Sequence, residues 1–326
     1  MEVDAYYLAG RQVPAVFNGM ATAADWMSGA SFVAMAGGIY FGGHGYLAFV
    51  VGWTGGYVLV ASLMAPYLRK FGCYTVPDFI GTRYGGNTAR LMAVIVLVVA
   101  SFTYVTAQIN ATGTIASRAL QIPFEVGVWF GLLGILICSM LGGMRAVTWT
   151  QVAQYIVLII AYLTPVIWMS NKQGFGVIPQ FAYGDAVARL AELEVLHKVG
   201  ELKAAGAFAG LKALTVHHSE AGSTAMAHWK FATLTLCMMA GTASLPHVLM
   251  RYFTTPSVKA ARQSVAWSLL FIFLLYFTAP ALATFTKLQV LDPNLATGII
   301  GKAFADVAAL DWIQKWSSVG FLKIID

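Results

Sequence analysis

The stretch 18–38, NGMATAADWMSGASFVAMAGG, lies inside an apolar run from about Val16 to Tyr40. At 1.5 Å of rise per residue, that run as a helix is long enough to cross a hydrocarbon core of about 30 Å. Yet it holds a carboxylate, Asp25, and four glycines, Gly19, Gly29, Gly37 and Gly38. An ionisable group at such depth costs about 2.5–3.5 kcal/mol on insertion scales, so it has to face a polar interior or a site. Thr22, Asp25, Ser28 and Ser31 recur at three-residue spacing and form one drifting polar stripe, while the glycines permit bending or unwinding. An unwound turn exposes carbonyl oxygens. With hydroxyls, these are the hard ligands that replace the water shell of a small alkali cation. A packing seam of small residues between helices is the competing explanation of the stripe, but such a seam has no need of Asp25.

The rest of the chain agrees with a membrane setting. Of 326 residues, 59% are hydrophobic and 10% charged, against about 25% charged in a soluble domain. That excludes a soluble globular protein, and the recurrence of uncharged apolar runs longer than about 18 residues makes the chain polytopic. The 32 glycines and 10 prolines are expected at close helix contacts and deliberate helix breaks. Cys73, Cys138 and Cys237 are isolated, which argues against a disulfide framework, an iron–sulfur cluster or a zinc site. The net charge of +6 is spread over short connections and not clustered with aromatics. It therefore reads as membrane orientation, with no nucleic-acid partner. The N-terminus, MEVDAYYLAGRQVP, has no basic segment leading into an apolar one, so no cleavable signal peptide is expected.

Seven spans are predicted, at about 16–40, 47–68, 91–115, 126–141, 147–169, 231–253 and 265–285. A polar insertion over 170–228 contains YGDAVARLAELEVLHKVGELKAA, read as a surface amphipathic helix, and 287–326 is again polar, with Trp312 and Trp316 suited to an interface. Arg11, the 69–90 loop, Arg145 and the group Arg251, Lys259, Arg262 fall on one side, against Arg118 alone in the short loop opposite. The N-terminus is therefore placed inside and the insertion outside; basic residues in long exterior loops weigh little.

Of the fourteen acids, only Asp25 falls within a predicted span. The sixth span carries a second break, MMAGTASLPHVLMR, where Gly241 and Pro246 interrupt the helix and Thr242, Ser244 and His247 add polar groups. Two Gly/Pro-interrupted spans, one in each half, point to a transporter of inverted repeats with its site near the midplane. His247 suits either a proton carrier or a hydrogen-bonded packing role. Gln108, in SFTYVTAQINATGT, suits either a permeation path or polar contact between helices. A haem reading is weak, because His247 alone of the six histidines lies deep in a span.

Four stretches together resemble the solute:sodium symporter family, and within it the cation/acetate symporter branch: DAYYLAGRQVPAVFNGMATAADWMSGASF, YLRKFGCYTVPDFIGTRYG, GGMRAVTWTQVAQY and LPHVLMRYFTTPS, in that order over about residues 4–258. The resemblance implies an all-α polytopic membrane protein with a LeuT-type inverted-repeat core of five plus five helices, the first and sixth broken. Residues 1–169 would form the first repeat, 170–228 the extracytoplasmic insertion, 229–286 the first two helices of the second repeat and 287–326 a further extracytoplasmic loop. It implies a symporter that couples sodium to uptake of a small monocarboxylate such as acetate by alternating access, in the plasma (inner) membrane. No enzymatic activity and no cofactor is implied, with sodium as the coupling ion. The expected partners are a small organic anion, sodium, the lipid bilayer and, as an option, a small membrane subunit.

By the same resemblance, sodium is bound at Ala24, Met27 and Ser28, with the carbonyls of Ala23 and Trp26 as the alternative register. Substrate-lining positions map to Asp25, Ser31, Gln108, Thr242, Ser244 and His247. Many family members carry an acid where this chain has Gln151. Two departures lead us to expect a fragment of a longer transporter: the family places a helix before the DAYYLAGR motif, and an eighth core helix after a loop such as 287–326. Other solutes, such as proline, pantothenate or a sugar, fit the same motifs, and a transporter-like sensor is the alternative from another class.

Overall fold

The computed structural model describes residues 3–196, 217–218, 225–292, 294–295 and 304–318. Among them the regular structure is helical: α1 (Val3–Leu8), α2 (Ala15–Trp26), α3 (Met35–Gly42), α4 (Leu47–Leu59), α5 (Ala65–Phe71), α6 (Val76–Tyr84), α7 (Asn87–Leu120), α8 (Phe124–Lys172), α9 (Tyr183–Leu196), α10 (Ala225–Ala243), α11 (Pro246–Met250), α12 (Val258–Leu291), α13 (Phe304–Ala308) and α14 (Asp311–Ser318). Their boundaries follow from local chemistry. Thr75 caps α6 by accepting the Asp78 amide at 3.2 Å, and Ser257 caps α12 through the Ala260 amide at 3.1 Å. Gly72, at φ 75°, ends α5, and Pro246 opens α11.

By length and composition, four helical stretches are apolar enough to cross a membrane, and a fifth is the bent pair Ala227–Ala243 plus Pro246–Thr254, angled by 45°. Two glycine turns bring the number of segments to seven. Gly143 sits inside α8 at φ 55°, ψ −156°, a conformation that only glycine adopts without strain. In a continuous helix Cys138 and Thr150 would stand about 18 Å apart; here their side chains are 3.4 Å apart, so the chain reverses at Gly143. Gly43 takes nearly the same conformation, φ 55°, ψ −143°, between α3 and α4. The segments are then 15–42 (broken), 47–71, 87–120, 124–142, 144–172, 225–254 (broken) and 258–291, counted among the described residues.

The core sits where α12 packs along α2, α3, α4 and α8. Trp26, Met35, Tyr57, Ile272, Leu275 and Tyr276 are buried there together. The α4–α10 contact is close because α4 offers glycines: a Cβ at Gly52 would lie 2.5 Å from that of Met238. By contrast α7 exposes Val96, Val99 and Phe102, as a helix facing lipid does.

At one end of the bundle Arg69 donates to the carbonyls of Thr255 and Pro256, at 2.6 and 2.9 Å. The other end differs from expectation. Residue 287 was placed in a loop, but α12 continues to Leu291 and Lys287 is 5% exposed, paired with Glu194 of α9, itself 0% exposed. Arg189 of the same helix pairs with Asp292. The amphipathic helix is therefore held against α12 by buried charge on the face that spacing alone assigned to a surface. Glu194 and Asp292 are thus more deeply buried than Asp25, whose side chain is 12% exposed. The predicted continuation of α9 over 197–205, and the side chains of Trp312 and Trp316, lie outside the described residues.

His218 belongs to this end. It is 4% exposed, its Nε2 lies 2.9 Å from Thr284 Oγ1, and its Nδ1 has no partner among the described residues. Burial, reinforced by Lys287, pushes its pKa down to about 4 against the opposing pull of Glu194. Folding therefore favours the neutral ring. The stability it contributes is complete above pH 6.5 and is lost as pH falls from there toward 4, by about 3 kcal/mol in all. A thermal melt series across that window is expected to show the loss, and His218→Gln is expected to flatten it.

Candidate substrate and cation site

The first broken helix supplies the centre of the site. α2 stops at Trp26, and Met27 adopts φ −75°, ψ 65°, the inverse γ-turn. The Ser28 amide accordingly bonds to the Trp26 carbonyl at 2.9 Å instead of reaching back to Ala24. Gly29 N–H leaves the helix altogether and donates to Gln108 Oε1 of α7 at 2.8 Å. Met27 N–H takes the Ala23 carbonyl at 2.9 Å, and Ser31 Oγ donates to the Trp26 carbonyl at 3.2 Å. The carbonyls of Ala23 and Trp26 are thus engaged. Those of Ala24 and Met27 receive no amide among the described residues. Ser28 Oγ stands 3.4 Å from Ser31 Oγ, which also shares a 2.9 Å hydrogen bond with Tyr276 of α12.

A cavity of about 400 Å³ opens beside this turn, within the size range of small-molecule sites. Asp25, Ser28, Ser31, Gln108, Thr242 and His247 all line it, with Trp26, Trp53, Tyr104 and Tyr276 as its aromatic walls. Of the remaining predicted residues, Ala24 and Met27 lie behind the wall, and Ser244 is elsewhere. It is exposed, and its hydroxyl donates to the Gly241 carbonyl at 2.8 Å, closing the end of α10. His247 stacks on Tyr104 with ring centroids 4.6 Å apart.

Asp25 is not a lone charge. Arg251, immediately after α11, donates from Nε to Asp25 Oδ2 and from Nη2 to Gln151 Oε1, while Gln151 Nε2 donates to Asp25 Oδ1. Arg251 Nη1 reaches Thr148 Oγ1 at 2.8 Å. The Arg251 side chain is 3% exposed and that of Asp25 12%. The sequence assigns Arg251, with Lys259 and Arg262, to one membrane side as an orienting charge. The bend of the sixth segment instead brings it into contact with the break in the first. The spacing held a clue, since His247 and Arg251 are four residues apart and share a helical face, as do Tyr104 and Gln108. Nothing in the spacing linked Arg251 to Asp25 or Gln151.

A second cavity, of about 290 Å³, lies on the far side of this group, lined by Tyr6, Tyr7, Ser139, Met144 and Arg251 among others. Asp25 and His247 line both cavities and form the partition between them.

Broken helices that meet at a buried charge pair, with a cavity on each side, define a multi-pass membrane protein organised around a solute-sized site. The sequence model of the sodium:solute symporter family matches residues 6–316, and the chain belongs to that family. It is 38% identical to an uncharacterized symporter of Cupriavidus necator, over 98% of this chain and 58% of that protein. It is 29% identical to a monocarboxylic acid transporter of Corynebacterium glutamicum, over 82% and 47%, and 28% identical to an uncharacterized symporter of Bacillus subtilis, over 94% and 58%. The chain spans about half the length of these curated relatives.

Proposed function

We propose that this chain forms the solute- and cation-binding part of a sodium-coupled secondary transporter for a small monocarboxylate such as acetate, working in the plasma membrane by alternating access. The observation that carries the reading is the turn at Met27, which leaves the carbonyls of Ala24 and Met27 without amide partners among the described residues, while the neighbouring Ser28 lines the 400 Å³ cavity. Partnerless carbonyls and a hydroxyl suit a hard monovalent cation. The same hydrogen bonding favours Ala24 and Met27 over Ala23 and Trp26, whose oxygens are occupied.

In this reading Asp25, Ser31, Gln108, Thr242 and His247 face the solute, and Ser244 acts on the break by capping α10. A carboxylate solute needs positive charge near its path, and Arg251, paired with Asp25 and lining the second cavity, supplies it. The monocarboxylic acid transporter among the relatives supports the same solute class.

The test is uptake of radiolabelled acetate into proteoliposomes carrying the protein, with and without an inward sodium gradient. Uptake is expected to require the gradient and to fall at least tenfold in Asp25→Ala. Uptake indifferent to both sodium and Asp25→Ala would overturn the proposal.

A further inference from the structure

Gln151 closes a ring. Its amide nitrogen donates to Asp25, its amide oxygen accepts from Arg251, and Arg251 donates to Asp25 in turn. One carboxylate, one guanidinium and one neutral amide leave the ring with no net charge. Among the described residues, Asp25 and Arg251 are also the only Asp, Glu, Lys or Arg that line either cavity, and the ring adjoins both. Of the ring, Asp25 faces both cavities and Arg251 the second, beside His247; Gln151 lines neither and acts on that charge through its hydrogen bonds to Asp25 and Arg251.

Glutamate at 151 would match glutamine in size, and one of its oxygens would still accept from Arg251. It would lose the N–H that reaches Asp25, set two carboxylates against each other, and turn the partition net negative. In a site of low dielectric, a charge of that sign acts over the length of a small solute. Discrimination of this kind works by repulsion of the wrong charge more than by extra attraction of the right one.

We propose that Gln151 is a specificity-determining residue for the charge of the solute: by keeping the partition neutral it admits a carboxylate to Arg251, which a second acid would turn away. This rests on the monocarboxylate reading above.

The experiment compares the KM for acetate under a fixed sodium gradient in the wild type, Gln151→Glu, Gln151→Asp and Gln151→Leu, each checked for folding by gel filtration. Gln151→Glu is expected to raise KM at least tenfold. Gln151→Leu, which loses both hydrogen bonds but adds no charge, is expected to raise it less, and Gln151→Asp, which adds the same charge on a shorter side chain, to raise it more than Gln151→Leu. A purely structural role for Gln151 would make the leucine variant as damaging as the acidic ones, and that result would overturn the inference. So would an unchanged KM in Gln151→Glu. If the glutamate variant does not fold, the aspartate variant decides: a KM raised above that of Gln151→Leu supports the inference, and one at or below it overturns it. A wild type that takes up no acetate overturns the monocarboxylate reading and the inference with it, whereas an active wild type with indifferent variants overturns the inference alone.

Discussion

Arg251→Met is expected to cost about 3–5 kcal/mol of stability and to abolish sodium-driven uptake. The cost follows from what is left behind. Asp25, whose side chain is only 12% exposed, would lose the guanidinium that neutralises it, and Thr148 would lose its donor. Removing one partner of a buried pair is far more damaging than the pair's own net contribution, because the remaining ion keeps its desolvation cost. Adding Asp25→Asn to Arg251→Met removes the stranded charge. The double variant is therefore expected to recover about 1–3 kcal/mol relative to the sum of the single changes, the range found for residues in direct contact. Thermal unfolding in detergent measures the cycle. Additive losses would show that Asp25 and Arg251 do not act on one another.

Lys287→Met is expected to cost a comparable amount, about 3–5 kcal/mol, by the same reasoning at the opposite end of the bundle. Glu194 is 0% exposed and also accepts the backbone N–H of His218, at 2.9 and 3.1 Å to its two oxygens. It has no route to solvent once Lys287 is gone. The consequence should be local: α9 is held to α12 by this pair and by Arg189–Asp292, so amide exchange in 183–196 is expected to rise well before the bundle unfolds. Combining Lys287→Met with Glu194→Gln is expected to restore most of the protection. Contrasting effects on transport separate the two sites. Arg251→Met acts at the partition between the cavities, whereas Lys287→Met leaves Asp25, Gln151 and Arg251 in place, so the KM for acetate is expected to change less than threefold.

The two pairs show what local sequence can and cannot reveal. The breaks were legible because they are properties of a few adjacent residues. Gly29 after Met27-Ser28, and Gly241 with Pro246, weaken a helix locally, and an acid at position 25 of an apolar run demands a polar neighbour. That neighbour was not legible. Arg251 is 226 residues away along the chain, and from periodicity it looked like an orienting charge at a span end. Gln151 carried a family-level contrast and no geometric one. Glu194 and Lys287 each looked like solvated residues, because helical spacing identifies a polar face without saying whether another element covers it.

The sequence by itself determined the membrane class, the order of the spans, the two broken helices and the polar residues Asp25, Ser28, Ser31, Gln108, Thr242 and His247 of the first cavity. All of these depend on hydropathy and backbone preference over a few turns. Only the tertiary structure decided the charge pairing and the neutral ring of Asp25, Gln151 and Arg251. Those depend on which helix faces lie against each other, and inside a bilayer that choice is made by close packing and by the need of each buried charge to find its partner.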